Sequence, residues 1–475
     1  MNKLARNILD YLIGGATSKI IHIGVFLWLA DRIGPTNFGQ FSVFVSSVVL
    51  ITVLLTLNLH GGISRYFYEE DNEGKSFLNT IALTIGLFFT LWLAAVFTFE
   101  AVFYDILTTG YIISGALAIF SEIISSAYIQ VAQSQKQSSK VAIFQIFRFS
   151  SMGIAIYFAL QFFWSGDQPL GIILFYSIGM FVPSFVIFTL YLARNFYIKP
   201  RLDHLIYSTK YSVPMAIYVL CSLLLLHSDR IMISEIIGYQ EAGIYSYAST
   251  LATVILLLVN AVLGAWTPFY FERMNAQDYP VVKLQSERIL VFCGVAALMI
   301  SSVLSVTFQF VLPANYMTAI PLFSLMVLVY YLAVAWQLYG RHLGYFKLTP
   351  YVALIGFSTC LLNIILNWFM INEYGSMGAV AATVLSYLFM VIFGYYLTMK
   401  ILNLVVLEIS FLMKILQFFA VFIAIELMFG PNLDSAALAI KVLMNFALIA
   451  FYYWVLVDHA WVRNYVSTMI IKKAN

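Results

Sequence analysis

Charge is what this sequence has least of: only 10% of its 475 residues are Asp, Glu, Lys or Arg, while 62% are hydrophobic. Ordinary soluble domains carry about 25% charged residues, so the shortage excludes that class. No polar block is long enough to fold by itself. Cysteine is scarcer still, with three residues. Cys221, Cys293 and Cys360 lie far apart inside apolar runs, a spacing that suits neither a metal site nor a disulfide framework. The sequence also lacks a glycine-rich phosphate loop ending in Lys-Ser/Thr, a His/Glu metal helix and a Gly-x-Ser-x-Gly elbow. No enzymatic chemistry, cofactor or metal is therefore expected. No basic tail interleaved with aromatics lies outside the apolar runs, so nucleic acid is not an expected partner.

What is present is a succession of apolar runs from end to end. Against the roughly 20 residues that span a bilayer core, they divide into about fourteen helices. The expected spans are 8–33, 39–62, 77–103, 111–132, 141–163, 170–193, 211–237 and 242–268 in the first part of the chain. In the second part they are 289–312, 317–339, 350–371, 376–399, 409–429 and 436–457. The fold class is an all-α polytopic membrane protein. The first run is too long for the core of a cleaved signal peptide and is read as a retained helix. The stretch between the eighth and ninth spans, 269–288, is a candidate amphipathic helix at the interface.

An even count places both termini on one side. The positive-inside rule makes that side cytoplasmic. It receives most of the Lys and Arg, from Lys3 and Arg6 through Arg65, Lys136, Lys140 and Arg148 to Arg463, Lys472 and Lys473, while the opposite side receives Arg32 and Lys441. Lys19 and Arg230 fall at depth.

A repeat runs through this pattern. Ile33-Gly34 is followed by Gly39, Phe41 and Ser42, and Ile237-Gly238 by Gly243, Tyr245 and Ser246 at the same spacing; the same shift brings Tyr66-Phe67 onto Tyr270-Phe271. A short glycine pattern can also recur by chance. If it is a true repeat, six helices separate the copies, and the halves are parallel repeats about an axis along the membrane normal with a site at their interface.

The run around Leu223 to Tyr247 holds His227, Asp229, Arg230 and Glu235. Ionisable groups at membrane depth are costly and mark transport paths. Residues three apart on a helix share a face, so Lys19 pairs with His22 and His227 with Arg230. Two cationic pairs facing one cleft favour an anionic ligand. Arg148, near a helix end, is either a mouth of that path or a topology anchor. Asp229, turned about 100° from Arg230, is a structural candidate. Glu122 and Glu426 are structural or coupling candidates. Each also has a plainer reading: Lys19 and Arg230 can ion-pair or snorkel, and the histidines or carboxylates can simply bond neighbours within the bundle.

The stretches LADRIGPTNFGQFSVF, GGISRYFYEE, HSDRIMISEIIGYQEAGIYSYAS, NYMTAIPLF and LNIILNWFMINEYGSMGAVAATVLSY together resemble the polysaccharide-transporter branch, with its Wzx-type O-antigen flippases, of the multidrug/oligosaccharidyl-lipid/polysaccharide flippase superfamily. Asn363, Asn367, Tyr374, Gly375, Gly378, Ala379, Ala382, Thr383 and Tyr387 carry the strongest single match. The resemblance implies two six-helix lobes around a central cavity, here 1–200 and 201–402, followed by two further helices and a tail in 403–475. It implies translocation of an oligosaccharide linked to undecaprenyl pyrophosphate across the bacterial cytoplasmic membrane by alternating access. Lys19, Arg230 and Arg148 would then neutralise phosphate. Membrane lipid is an expected partner, and other polysaccharide assembly proteins are candidate partners. Two alternatives remain: a cation-coupled drug exporter of the same superfamily, which should show a more acidic cavity, and a membrane-embedded glycan polymerase or ligase, which should show a large external loop.

Overall fold

A computed structural model describes residues 3–63, 66, 74–103, 109–135, 137–164, 166, 168–195, 199–429, 433 and 435–456. Arg65, Phe67, Lys136, Arg463, Lys472 and Lys473 lie outside the described residues. Among those described there are twelve α-helices and no strand. They are α1 (Lys3–Thr56), α2 (Gly74–Phe103), α3 (Thr109–Ser134), α4 (Ser138–Phe162), α5 (Leu170–Asn195) and α6 (Leu202–Ile236). The rest are α7 (Tyr239–Asn275), α8 (Tyr279–Val311), α9 (Ala319–Tyr345), α10 (Thr349–Leu397), α11 (Ile409–Met428) and α12 (Ser435–Leu456).

All twelve are long and apolar enough to cross a membrane. Two are twice too long. The apolar part of α1 runs 43 residues and that of α10, with its short π-helical extension, 54, against the roughly 20 a bilayer core requires. Each is broken once. Gly34 has φ 74° and ψ 169° inside α1, and Gly375 has φ 62° and ψ −146° inside α10. Side chains with a Cβ rarely adopt such values, and Pro35, which lacks an N–H, opens the new segment after Gly34. Splitting the two helices there gives fourteen spanning segments, the number expected from the apolar runs.

Two expectations are corrected. The stretch 269–288 is not a separate interfacial helix: α7 continues to Asn275 and α8 begins at Tyr279. Lys441, counted with Arg32 on the side opposite the termini, is not a solvent-facing charge. It is fully buried within α12, 2.8 Å from Glu426.

The fold divides into two compact units, one of Met1–Thr250 with Gly356–Ala379 and one of Leu251–Ile355 with Val380–Asn475. In the first, α5 packs on α3 and α4, and α1 packs on α4 and α6. Its core includes Phe26, Phe38, Phe41 and Tyr176, with the rings of Phe41 and Tyr176 perpendicular at 5.1 Å. In the second, α8 packs on α9 and α12, and α9 is the most enclosed helix, with 83% of its apolar window buried.

The repeat has a physical counterpart in the first unit. A Cβ on Gly39 would collide with the carbonyl oxygen of Tyr239 and crowd the nitrogen of Gly243. A Cβ on Gly243 would in turn collide with the carbonyl oxygen of Pro35 and crowd the nitrogen of Gly39. Small residues let membrane helices approach to backbone contact, and the repeat-related glycines supply that approach to one another. Gly34 and Gly238, five residues before them, both hold positive φ.

Candidate functional site

Seven of the eight site candidates belong to the first unit: Lys19 and His22 on α1, Glu122 on α3, Arg148 on α4, and His227, Asp229 and Arg230 on α6. The local geometry begins with the three-residue spacing on α6. It brings Arg230 Nη1 to 3.4 Å from His227 Nδ1. Both reach Ser46 on the second segment of α1, His227 at 3.2 Å and Arg230 at 3.5 Å, and Arg230 Nη2 donates to Ser249 Oγ at 2.9 Å. Every one of these partners is neutral or shares the positive field. Among the described residues no carboxylate lies within ion-pair distance of Arg230.

His22 joins this group from the first segment of α1. Its ring packs on Phe26 at 4.3 Å and Phe149 at 4.8 Å, and it experiences the charges of Lys19, Arg148 and Arg230. Lys19 is exposed and, among the described residues, has no ion-pair partner; the nearest charges acting on it are Glu122 and Arg148. Next to it Ser18 is fully buried and donates to Gln145 Oε1 at 3.2 Å, which ties that face of α1 to α4.

Arg148 differs from Arg230. Its Nη2 lies 2.5 Å from Glu122 Oε1 and 3.3 Å from Ser121 Oγ, and its side chain is 6% exposed. The structure thus joins two candidates that the sequence left separate. A buried cation held by a carboxylate is already compensated.

Asp229 is 2% exposed and faces away from the cationic group. It accepts hydrogen bonds from Tyr245 Oη and from Asn367 Nδ2, the latter at 2.7 Å, and Asn367 in turn reaches Asn363 Oδ1 at 3.1 Å. Glu426 belongs to the second unit, apart from the others. There it pairs with Lys441 and accepts from Ser305 at 3.2 Å, Ser324 at 3.3 Å and Asn445 at 3.0 Å.

The residues that sequence reasoning missed are the uncharged ones: Ser46, Ser249, Gln145 and Tyr245. A signal existed for the serines. Ser46 lies one turn after Ser42, and Ser249 about one turn after Ser246, the two serines aligned by the repeat.

The described helices form a membrane-embedded bundle that carries Lys19 and His22 on the glycine-broken α1 and His227 and Arg230 on α6. In overall fold the chain is similar to a lipid II flippase, MurJ, in an inward closed conformation, with a TM-score of 0.71 and 13% identity over 96% of this chain and 99% of that one. It is also similar to an outward-facing multidrug resistance transporter of the MATE family and MOP superfamily, with a TM-score of 0.54 and 12% identity over 82% of this chain and 94% of that one. The chain matches the polysaccharide biosynthesis protein family over residues 4–274, more than half its length, and it belongs to that family. A relative from the Lsg locus of Haemophilus influenzae is 23% identical over 286 residues, 59% of this chain and 69% of that protein.

Proposed function

We propose that this protein moves an oligosaccharide linked to undecaprenyl pyrophosphate across the bacterial cytoplasmic membrane for surface polysaccharide assembly, with both termini cytoplasmic. One observation carries the proposal: Arg230 lies within a membrane-spanning helix bonded to Ser46, Ser249 and His227, and among the described residues no carboxylate pairs with it. A cation in a low-dielectric region without a counter-charge favours an anion brought by a ligand. Lys19 and Arg230 would take the pyrophosphate. His22 and His227 would orient it, and Arg148 would add long-range field while bound to Glu122. The polyprenyl tail remains in lipid, and lobes 1–200 and 201–402 expose the site alternately to each side, with 403–475 as added helices. Membership of the polysaccharide biosynthesis family and the likeness to a lipid II flippase support a lipid-linked substrate.

The test is replacement of Lys19→Gln and Arg230→Gln together in a deletion strain, with lipid-linked intermediates measured on the cytoplasmic side. The double variant should accumulate intermediate as the deletion does. Full export by a normally folded double variant refutes the anion role, and no accumulation on deletion of the gene refutes the flippase reading. The MATE-like fold leaves drug export as a second reading. It requires drug sensitivity on deletion with no change in lipid-linked intermediates.

A further inference from the structure

On the other flank of the second α1 segment lies a cavity of about 580 Å³ that the cationic site does not use. Ser46 faces His227 and Arg230, and the next residue, Ser47, lines this cavity together with Gln40, Trp92, Tyr111 and Tyr239. Adjacent residues on a helix point about 100° apart. One helical segment therefore carries cations against one face and a second concavity against another.

The lining joins aliphatic walls from Val43, Val48, Ile51, Val96, Ile112 and Ile119 to the rings and polar groups named above. Among the described residues no charged side chain lines it. The volume falls in the range of roughly 300–1,000 Å³ typical of small-ligand sites, which combine apolar walls with a few convergent polar groups. Aromatic rings at helix ends commonly form interfacial belts that face lipid. Here Trp92, Tyr111 and Tyr239, from three different helices, line one hollow instead. Tyr and Trp each offer an apolar face and a polar edge. Gln40 adds an amide that can both donate and accept, and Ser47 a hydroxyl. Such walls suit a neutral ring with C–H bonds on its faces and hydroxyls around its rim. An anion would find no cation there, and an acyl chain would leave the polar groups unpaired.

We infer that this cavity is a sugar subsite that takes a hexopyranose ring of the transported glycan. The inference rests on the flippase reading. The cavity lies toward the membrane face of the Gly34 and Gly238 turns, since Tyr239 directly follows Gly238, Gln40 lies six residues after Gly34 and Tyr111 is in the first turn of α3. On the proposed topology that face is external, and the cavity flanks the cations at the depth of Ser46 and Ser47. Gly115 keeps the space open: a Cβ built there meets only the Phe44 ring, at 4.0 Å.

The test uses the full chain in lipid nanodiscs. Saturation-transfer NMR follows three free disaccharides, maltose, galactobiose and diacetylchitobiose, and calorimetry follows inorganic pyrophosphate. At least one disaccharide should bind saturably. Gly115→Leu, which fills the cavity without removing a wall, and Trp92→Ala should each weaken that binding about tenfold, as expected for a lost aromatic face. Trp92→Phe should largely preserve it, and pyrophosphate binding should be unchanged in all three. If no disaccharide binds the wild-type protein, or if binding survives Gly115→Leu and Trp92→Ala, the subsite is refuted. A cavity that holds only lipid gives the first of these results. Sugar binding with the expected variant pattern but no pyrophosphate binding overturns the anion site and leaves the sugar subsite standing.

Discussion

The Glu426–Lys441 pair allows a quantitative prediction. Both side chains are fully buried, and Lys441 Nζ lies 2.8 Å from Glu426 Oε2. With an effective dielectric constant near 20 their attraction is about 6 kcal/mol, most of it offset by the cost of taking both ions out of water. The pair as a whole therefore adds little net stability. Removing one member is different, because it leaves the other charge buried alone, at a cost of about 3–5 kcal/mol. For a unit of 150–250 residues each kcal/mol shifts the melting temperature by about 2–4 °C, so Lys441→Met alone should lower it by roughly 6–20 °C. In the double variant Glu426→Gln/Lys441→Met the amide oxygen keeps the bonds from Ser305 and Asn445, and the amide NH2 donates to Ser324 Oγ, without a charge. Most of the loss should be recovered. The assay is thermal unfolding of the purified full chain in one detergent, with both single variants and the double variant compared in a cycle. Equal, additive losses would refute the compensated-pair account. Export activity should survive in the double variant, because a carboxylate tied to a buried lysine and three polar neighbours is a scaffold element. A stable but inactive double variant would instead make Glu426 a coupling residue.

Two further perturbations follow from contacts outside the cationic group. Gly39→Ala and Gly243→Ala each push a methyl group into backbone of the other repeat, which cannot move aside as a side chain can; each should cost about 1–3 kcal/mol or more. Gly24→Ala has open space around it and should leave the melting temperature unchanged or slightly higher, so a similar loss at Gly24 would show that the contact is unimportant. At the start of α11, the Lys283 ammonium bonds the exposed Glu408 carboxylate and holds its pKa below the ordinary value of 4.5. A carboxylate with a depressed native pKa stabilises the fold above its unfolded pKa, and that contribution disappears as pH falls through the depressed value. Melting temperatures of wild type and Glu408→Gln should therefore differ slightly at pH 7 and converge as pH falls through the depressed native pKa, below the ordinary 4.5; a gap that persists once Glu408 is protonated would exclude the ion pair as its source.

The spanning segments were legible because run length in an apolar sequence is set by bilayer thickness. The breaks at Gly34 and Gly375 were legible because a run of 43 or 54 residues cannot cross once. Helix extensions were not. The helix that carries the span expected from residue 211 begins at Leu202, and the added turns bury His204 and Ser208, bonded to Tyr66 Oη at 3.2 Å and to the Leu59 carbonyl at 3.1 Å. A hydropathy ruler stops at such residues, although their polar groups are satisfied within the fold. Lys19, His22, His227 and Arg230 could be singled out because charge is rare in apolar runs. Their serine partners could not, since a serine in a membrane helix commonly bonds its own backbone one turn back. Thr52 and Ser177 do so, at 2.7 and 2.8 Å, and the sequence does not separate them from Ser46, which reaches across to another helix.

What the sequence hides most completely is which charges are already compensated. Arg148, expected near the end of its helix, and Arg230, expected at depth, are the same residue type, and the sequence offers both as phosphate contacts. In the fold, Glu122 neutralises one at 2.5 Å, whereas the other has two hydroxyls and an imidazole. Lys441 is neutralised in the same way by Glu426, and Asp229 is held by Tyr245 and Asn367. Each of these groups has what it needs without a ligand. Among the described residues Lys19 and Arg230 have no carboxylate within ion-pair distance, and on the proposed reading that difference is what separates a substrate contact from scaffold. A residue whose charge is satisfied at home can be removed together with its partner at small cost. Removal of an unsatisfied cation should leave the fold as stable as before, or more so, because it relieves an unpaired charge. The purified Arg230→Gln variant should accordingly melt no lower than wild type while losing pyrophosphate binding, and a large loss of stability would place Arg230 among the scaffold residues with Arg148.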